Sequence, residues 1–209
     1  MRVDPTTLDA RGAYRLMIAC LVPRPIAWTS TLAADGTPNL APFSYFGGVC
    51  SMPPTVMVSV GRRRSGERKD TATNLLATRE AVIHIPDRAH AQQMVASSAE
   101  VGPEVDEFGL VGLTKVAAER VKPWRVVEAP IAMEAVLERH LEVGAGPVDL
   151  FLLRVVLFHL DDALLVDGLP DAAKLAAVGR LGGELYCDTG KPFLIARPEA
   201  KGEGPRRSM

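Results

Sequence analysis

Cysteine is scarce in this sequence. Cys20, Cys50 and Cys187 are odd in number, far apart and outside any C-x-x-C pair. A disulfide framework does not fit that pattern, so reduced thiols in a cytoplasmic protein are expected, packed as small hydrophobes in a core or pocket. No apolar run approaches the about 20 residues that cross a bilayer. Met1-Arg2-Val3-Asp4-Pro5 has no basic lead ahead of an apolar block, so no signal peptide is expected. Net charge is nearly absent: 24 Lys and Arg stand against 25 Asp and Glu. Bulk electrostatics therefore points to neither nucleic acid nor an anionic membrane as partner. Several chemical signatures are also missing. His84, His90, His140 and His159 stand at no metal-ligand spacing, so no metal is expected. Gly144-Ala145-Gly146 runs into Pro147 with no βαβ unit around it, and there is no G-x-S-x-G and no Walker loop.

The chain has 209 residues, 47% of them hydrophobic and 23% charged, enough for one domain with a substantial core. That domain is expected to span residues 1–196, with 197–209 a polar, fraying tail. Strands are expected at 26–32, 38–46, 55–60, 81–85, 131–143, 148–160 and 184–187. Helices are expected at 6–19, from Asp70 as N-cap to about Arg79, at 88–99 with Ala89, Met94 and Val95 inward, and at 174–183. Ala33-Ala34-Asp35-Gly36 and Gly144-Ala145-Gly146-Pro147 read as hairpin turns. The glycine pair Gly47-Gly48 and Met52-Pro53-Pro54 read as the ends of a loop. Pro38 and Pro42 confine their strand to a sheet edge. The long connection 100–116 has the length of a lid. Strands and helices do not alternate as βαβ units, so the fold class is mainly β, an antiparallel barrel with a few short helices.

The chemistry concentrates between Pro23 and Asn74. Lys69-Asp70-Thr71 stands where a basic loop enters a helix, and the free N–H groups of a first turn attract an anion. Arg62, Arg63, Arg64 and Arg68 add charge that forks onto phosphate. The same residues also read as a solvated loop with an ordinary cap. Ala41-Pro42-Phe43-Ser44 offers an apolar slot with backbone and hydroxyl donors for the edge of a planar ring, and equally reads as a kinked edge strand. Arg24, between two prolines, is either aimed at a ligand or held in a surface ion pair. Thr29, Ser30 and Thr31 place hydroxyls on both faces of a strand, so at least one turns inward and needs a partner. Arg180 with Gly182 and Gly183 brings a charge and two bare backbone positions together, as a ligand approach or as a helix stop.

In order and spacing these segments resemble the flavin reductase-like, FMN-binding split-barrel family, which includes flavoredoxin. The resemblance runs from about Leu16 to Tyr186. It is carried by Pro23-Arg24-Pro25-Ile26-Ala27, Thr29-Ser30-Thr31, Asp35-Gly36, Asn39 to Ser44, Pro53-Pro54, Lys69-Asp70-Thr71 with Asn74, Val105 to Phe108, Gly112-Leu113-Thr114 and Gly179 to Gly183. It implies a Greek-key split barrel that forms a homodimer with FMN near the interface. Phosphate contacts would come from the Lys69-Asp70-Thr71 region and the hydroxyls of the first strand, with the ring against Ala41 to Ser44. Arg24 or Arg180 would face the reduced ring. The activity implied is reduction of FMN by NAD(P)H, with electrons passed to a further acceptor. A non-catalytic flavin carrier or store is the alternative, and a barrel for another phosphorylated aromatic such as pyridoxal phosphate is a third reading. Trp28 and His84 depart from the family pattern at the ring pocket.

Overall fold

The computed structural model describes residues 1–196, so the expected tail at 197–209 lies outside the described residues. The chain opens with helix α1 (Ala10–Cys20), whose N-cap Asp9 accepts the Gly12 N–H. Strands β1 (Arg24–Pro25), β2 (Ala27–Leu32), β3 (Pro38–Phe43), β4 (Phe46–Ser51) and β5 (Pro54–Val60) follow, then α2 (Asp70–Thr78) and β6 (Glu80–Ile85). Next come α3 (Ala91–Ala96), α4 (Glu107–Leu110) and the short strands β7 (Lys115–Val116) and β8 (Arg125–Val126). The long hairpin of β9 (Ile131–Val143) and β10 (Val148–Leu160) comes after them. The described chain ends with β11 (Leu165–Val166), β12 (Leu169–Pro170), α5 (Ala172–Leu175), β13 (Val178–Arg180) and β14 (Tyr186–Asp188).

Seven strands form one antiparallel sheet in the order β3-β2-β6-β9-β10-β5-β4. Its edge strands, β3 and β4, are consecutive in the chain and joined only by Ser44 and Tyr45. Laid flat, seven strands would hold these edges about 29 Å apart at about 4.8 Å per step. Three Cα steps reach only about 11 Å. The sheet must therefore curl on itself, and β3 comes alongside β5. Because β3 and β4 share no ladder, the cylinder stays open at that seam. The result is the expected Greek-key split barrel.

Two cores result. Inside the barrel Ala27, Phe43, Val60, Ile83, Phe151 and Leu153 pack together. Outside it, Ile26, Trp28 and Leu40 pack against Met94 of α3, Phe108 of α4 and Val178 of β13. Burying a side chain of this size contributes roughly 1.5–3 kcal/mol. Strand β2 is thus covered on both faces, and its hydroxyls must be satisfied internally.

Some expectations are corrected. Residues 46–51 are a strand rather than a loop. The Gly47-Gly48 pair sits in an edge strand with a bulge between Gly48 and Cys50, a position where glycine is tolerated. The expected helix over 174–183 reduces to α5, ended by Ala176 at φ 45°, after which the chain returns to the sheet as β13. The helix expected over 88–99 contracts to Ala91–Ala96, with Met94 buried and Ala89 and Val95 exposed. Lys69, not Asp70, is the N-cap of α2. Cys20 and Cys50 are exposed and Cys187 is half-buried, so none of the three is a core residue.

Candidate functional site

Four buried polar side chains fix the floor of a cleft. Asn39 Nδ2 donates to Thr31 Oγ1 at 3.1 Å and to Thr71 Oγ1 at 2.9 Å, and Asn74 Nδ2 donates to Thr31 Oγ1 at 3.1 Å. The network ties β2, β3 and the first turns of α2 into one unit. Buried polar groups left without partners are costly, which is why Thr31 and Thr71 fit here and apolar residues of the same shape would orphan both amides.

Above this floor the cleft has three walls. The first is β3, through Ala41, Pro42 and Phe43. The second is the start of α2, through Lys69, Asp70 and Thr71, with Arg63 beside it. The third is the segment leaving α3, from Ser97 to Val101, with Glu107 below. No side chain caps α2. Lys69 lies over the Phe43 ring at 5.9 Å, and the Asp70 carboxylate is turned aside onto Arg63. The helix therefore presents an uncapped, positively biased end to the cleft.

The register decides what β3 can offer. The Leu40 N–H points off the free edge, where it donates to Glu107 Oε2 at 3.0 Å. Ladder geometry alternates, so positions 38 and 42 share that outward direction, and both are proline. The N–H groups of Ala41 and Phe43 consequently face β2. Ser44, just past the strand, supplies the hydroxyl at this end of the wall.

Other candidate residues are placed as follows. Arg24 is buried. Its Nη1 donates to Ile18 O and Leu21 O, its Nη2 to Leu181 O, and its Nε reaches Ser44 Oγ at 3.4 Å. It clamps the end of α1 to the C-terminal strands behind Ser44. Thr29 is buried against its own strand, and Ser30 Oγ is buried without a hydrogen-bond partner. Arg62 and Arg68 turn away from the cleft to Asp149, a fully buried carboxylate that His140 Nε2 also meets at 2.7 Å. His140, Glu142 and Asp149 converge across the β9–β10 hairpin, although their spacing in sequence gave no sign of it. The two guanidiniums sit against those carboxylates, where a cation would otherwise go. Arg180 stacks on Tyr186 with its Cζ 5.5 Å from the ring centroid, and its Nη2 reaches Gly183 O at 3.3 Å. Gly182 and Gly183 form the turn that carries it back to β14.

Of the basic loop read as phosphate-binding, Arg63 does line the cleft, whereas Ser97 and Glu107 were not foreseen as parts of it. Nothing local marks them, because each acts through a partner distant in sequence or on another element. Trp28 and His84 turn out to support the walls from behind. Trp28 Nε1 donates to Ser97 Oγ at 2.9 Å, and Ser97 in turn donates to Met94 O, fixing the end of α3. His84 Nε2 accepts the Val126 N–H at 3.0 Å, so Nδ1 carries the proton and donates to Trp28 O at 2.9 Å. Burial holds His84 neutral, pushing its pKa down to about 4. Burial raises the Glu107 carboxyl above its ordinary range, opposed by the Leu40 N–H.

A model of the flavin reductase like domain matches residues 19–170. An uncharacterised protein of Halalkalibacterium halodurans is 35% identical over 202 residues, covering 95% of this chain and 97% of the relative. Nitrilotriacetate monooxygenase component B from Bacillus cereus superposes with a TM-score of 0.90 at 35% identity, over 93% of this chain and 98% of that one. Flavoredoxin of Desulfovibrio vulgaris (Miyazaki F) superposes with a TM-score of 0.73 at 26% identity, over 88% and 94%.

Proposed function

The chain belongs to the flavin reductase-like family, and from that premise we propose an FMN-binding oxidoreductase that takes electrons from NAD(P)H and passes them to a further acceptor. The observation that carries this reading is the uncapped start of α2 opening onto the apolar wall of β3. One end of the cleft suits a phosphate and the other a planar ring. Bound there, FMN would supply the hydride-accepting and electron-donating chemistry.

In this reading the N–H groups of Asp70 and Thr71 and the Lys69 ammonium bind the phosphate. Arg63 keeps the Asp70 carboxylate out of its way. Ala41, Pro42 and Phe43 exclude water from one side of the ring, and Ser44 donates to its polar edge. Thr31, Asn39 and Asn74 hold the two walls at a fixed separation. Thr29, Ser30 and Arg24 back the ring wall. Arg62, expected at the phosphate, is engaged with Asp149 and Glu142 instead and takes no part in this reading. Arg180, Gly182 and Gly183 close the far end. Hydride transfer asks for no protein base, and none of these residues needs to act as one.

A homodimer belongs to the same proposal. Helix α1 buries none of its residues, and Tyr14, Leu16 and Met17 on it and Leu21 at its C-cap are exposed. A second copy would cover them. A cytoplasmic location is supported by the three unpaired thiols. Among the described residues no helix is long and apolar enough to cross a membrane.

The test is the absorbance spectrum of the purified protein, then of the protein supplied with FMN and mixed anaerobically with NADH or NADPH. Yellow protein bleached by a nicotinamide is the expected result. Failure to bind FMN at all would overturn the reading, and tight retention without bleaching would make the protein a flavin carrier. Replacing Lys69 and Thr71 together by Ala is expected to weaken FMN far more than riboflavin. Equal losses would remove the phosphate assignment.

A further inference from the structure

We infer that the groove beside Arg180 is a binding site for a planar aromatic monoanion, a ring bearing a carboxylate. The groove leaves the candidate flavin cleft at Pro42 and Ser98, which line both, and continues along α3 toward Val178 and Tyr186. Its inner walls are apolar: Ile26 and Met94 are buried beneath it, and Val95 and Tyr186 flank it.

Charge enters this apolar groove at its inner end through Arg180. Four other guanidiniums of the chain are already engaged. Arg24 donates to three backbone carbonyls, Arg63 pairs with Asp70, and Arg62 and Arg68 serve Asp149. Arg180 instead makes one hydrogen bond, to Gly183 O, and has no carboxylate within ion-pair distance among the described residues. Its guanidinium lies over the Tyr186 ring, Cζ 5.5 Å from the centroid, a contact that uses none of its N–H groups. A guanidinium fork with unused donors matches a carboxylate in two-point contact. The aromatic and apolar surfaces around it match a flat ring. Arg88 stands at the exposed outer mouth, where it draws an anion in, while Arg180 seats it.

The space beside Arg180 and Pro42 is only about 10 Å³, so it takes the carboxylate, and the ring lies in the groove of about 690 Å³ along α3 and Tyr186. The flavin reading gives this site its purpose, because the carboxylate end then abuts the candidate cofactor wall at Pro42. The seat itself is made by Arg180 and Tyr186, whose contact does not involve the flavin. The experiment is calorimetric titration of the full-length protein, with and without added FMN, by benzoate and by its neutral isostere benzamide. Wild-type protein is expected to bind benzoate at least about tenfold more tightly than benzamide, the difference a charge-assisted fork provides. Arg180→Met is expected to bring the two ligands to equal affinity, and Arg180→Lys to restore part of the preference. A wild-type protein that does not discriminate would overturn the inference, as would an Arg180→Met protein that keeps the preference. Flavin retention is read separately, by absorbance after desalting. Discrimination without flavin retention would keep the groove and remove the flavin reading, and retention without discrimination would do the reverse.

Discussion

Glu107 closes the one open donor on the free edge of β3, taking the Leu40 N–H at 3.0 Å while Pro38 and Pro42 leave no N–H at the neighbouring outward positions. An edge strand with exposed donors is a template for pairing with another chain. Here two prolines and one carboxylate remove that template along the very strand that walls the cleft.

Glu107→Ala is therefore expected to cost about 1–3 kcal/mol, the penalty of a buried donor left unpaired. It is also expected to promote concentration-dependent association. Urea denaturation and light scattering measure the two effects. Glu107→Gln, which keeps an acceptor, is expected to lose much less. The pH dependence has a definite sign. A carboxyl raised in the folded state binds more protons folded than unfolded, so its contribution to stability is present at low pH and falls as pH rises through its folded value. Glu107→Gln is expected to remove that part of the slope.

His84 acts in the opposite sense. Its pKa falls to about 4 in the fold, from about 6.5 in an unfolded chain. Its contribution is full above the unfolded value and is lost as pH drops through that window, by roughly 3 kcal/mol in all. The urea midpoint followed across this range is expected to fall with acid, and His84→Gln is expected to flatten the curve.

Trp28→Phe removes the indole donor that Ser97 accepts. A loss of about 1–3 kcal/mol is expected from the missing hydrogen bond and the space left behind. The local signature is faster amide hydrogen exchange from Ser97 to Val101, the third wall of the cleft. FMN affinity is expected to drop with it.

Asp149→Ala leaves Arg62 and Arg68 with only the half-exposed Glu142 as counter-charge and removes the hydrogen-bond partner of His140 Nε2. Breaking such a partly buried set is expected to cost about 3 kcal/mol, less than for a fully buried pair because Arg68 is partly solvated. Urea denaturation reads the loss. Because Asp149 lines no part of the cleft, the residual folded protein is expected to bind FMN with little change.

The fold was legible where one strand's own pattern decides its state. The long alternating runs of β9 and β10 and the turn between them are read directly, and the two prolines of β3 announce an edge. The seam was not legible, because Gly47-Gly48 reads as loop until β5 is seen pairing with it. Within the candidate site, Lys69 and Thr71 carry their own signal, because a basic loop runs there straight into a helix, and Asn39 and Asn74 enter through the order of the motifs around them. The destinations of Arg62 and Arg68 carry no such signal. Both lie in one basic loop with Arg63 and Lys69, and only the arrival of Asp149, 87 residues after Arg62, separates their directions. Glu107 is hidden for the same reason, since its partner Leu40 lies 67 residues away.

The two-residue link through Ser44 and Tyr45 has a kinetic consequence. The β2–β3 and β4–β5 hairpins on either side of it are local and can form early. Their union into a cylinder waits for β5 to meet β10, a pairing of Val60 with Asp149. Such distant pairings are slow, since a long loop must close before any contact stabilises it. The wall of β3 is therefore expected to form before the barrel does, with α2, strung between β5 and β6, taking its place as the cylinder shuts. A ligand that grips both elements is expected to leave the refolding rate almost untouched and to prolong the life of the closed state.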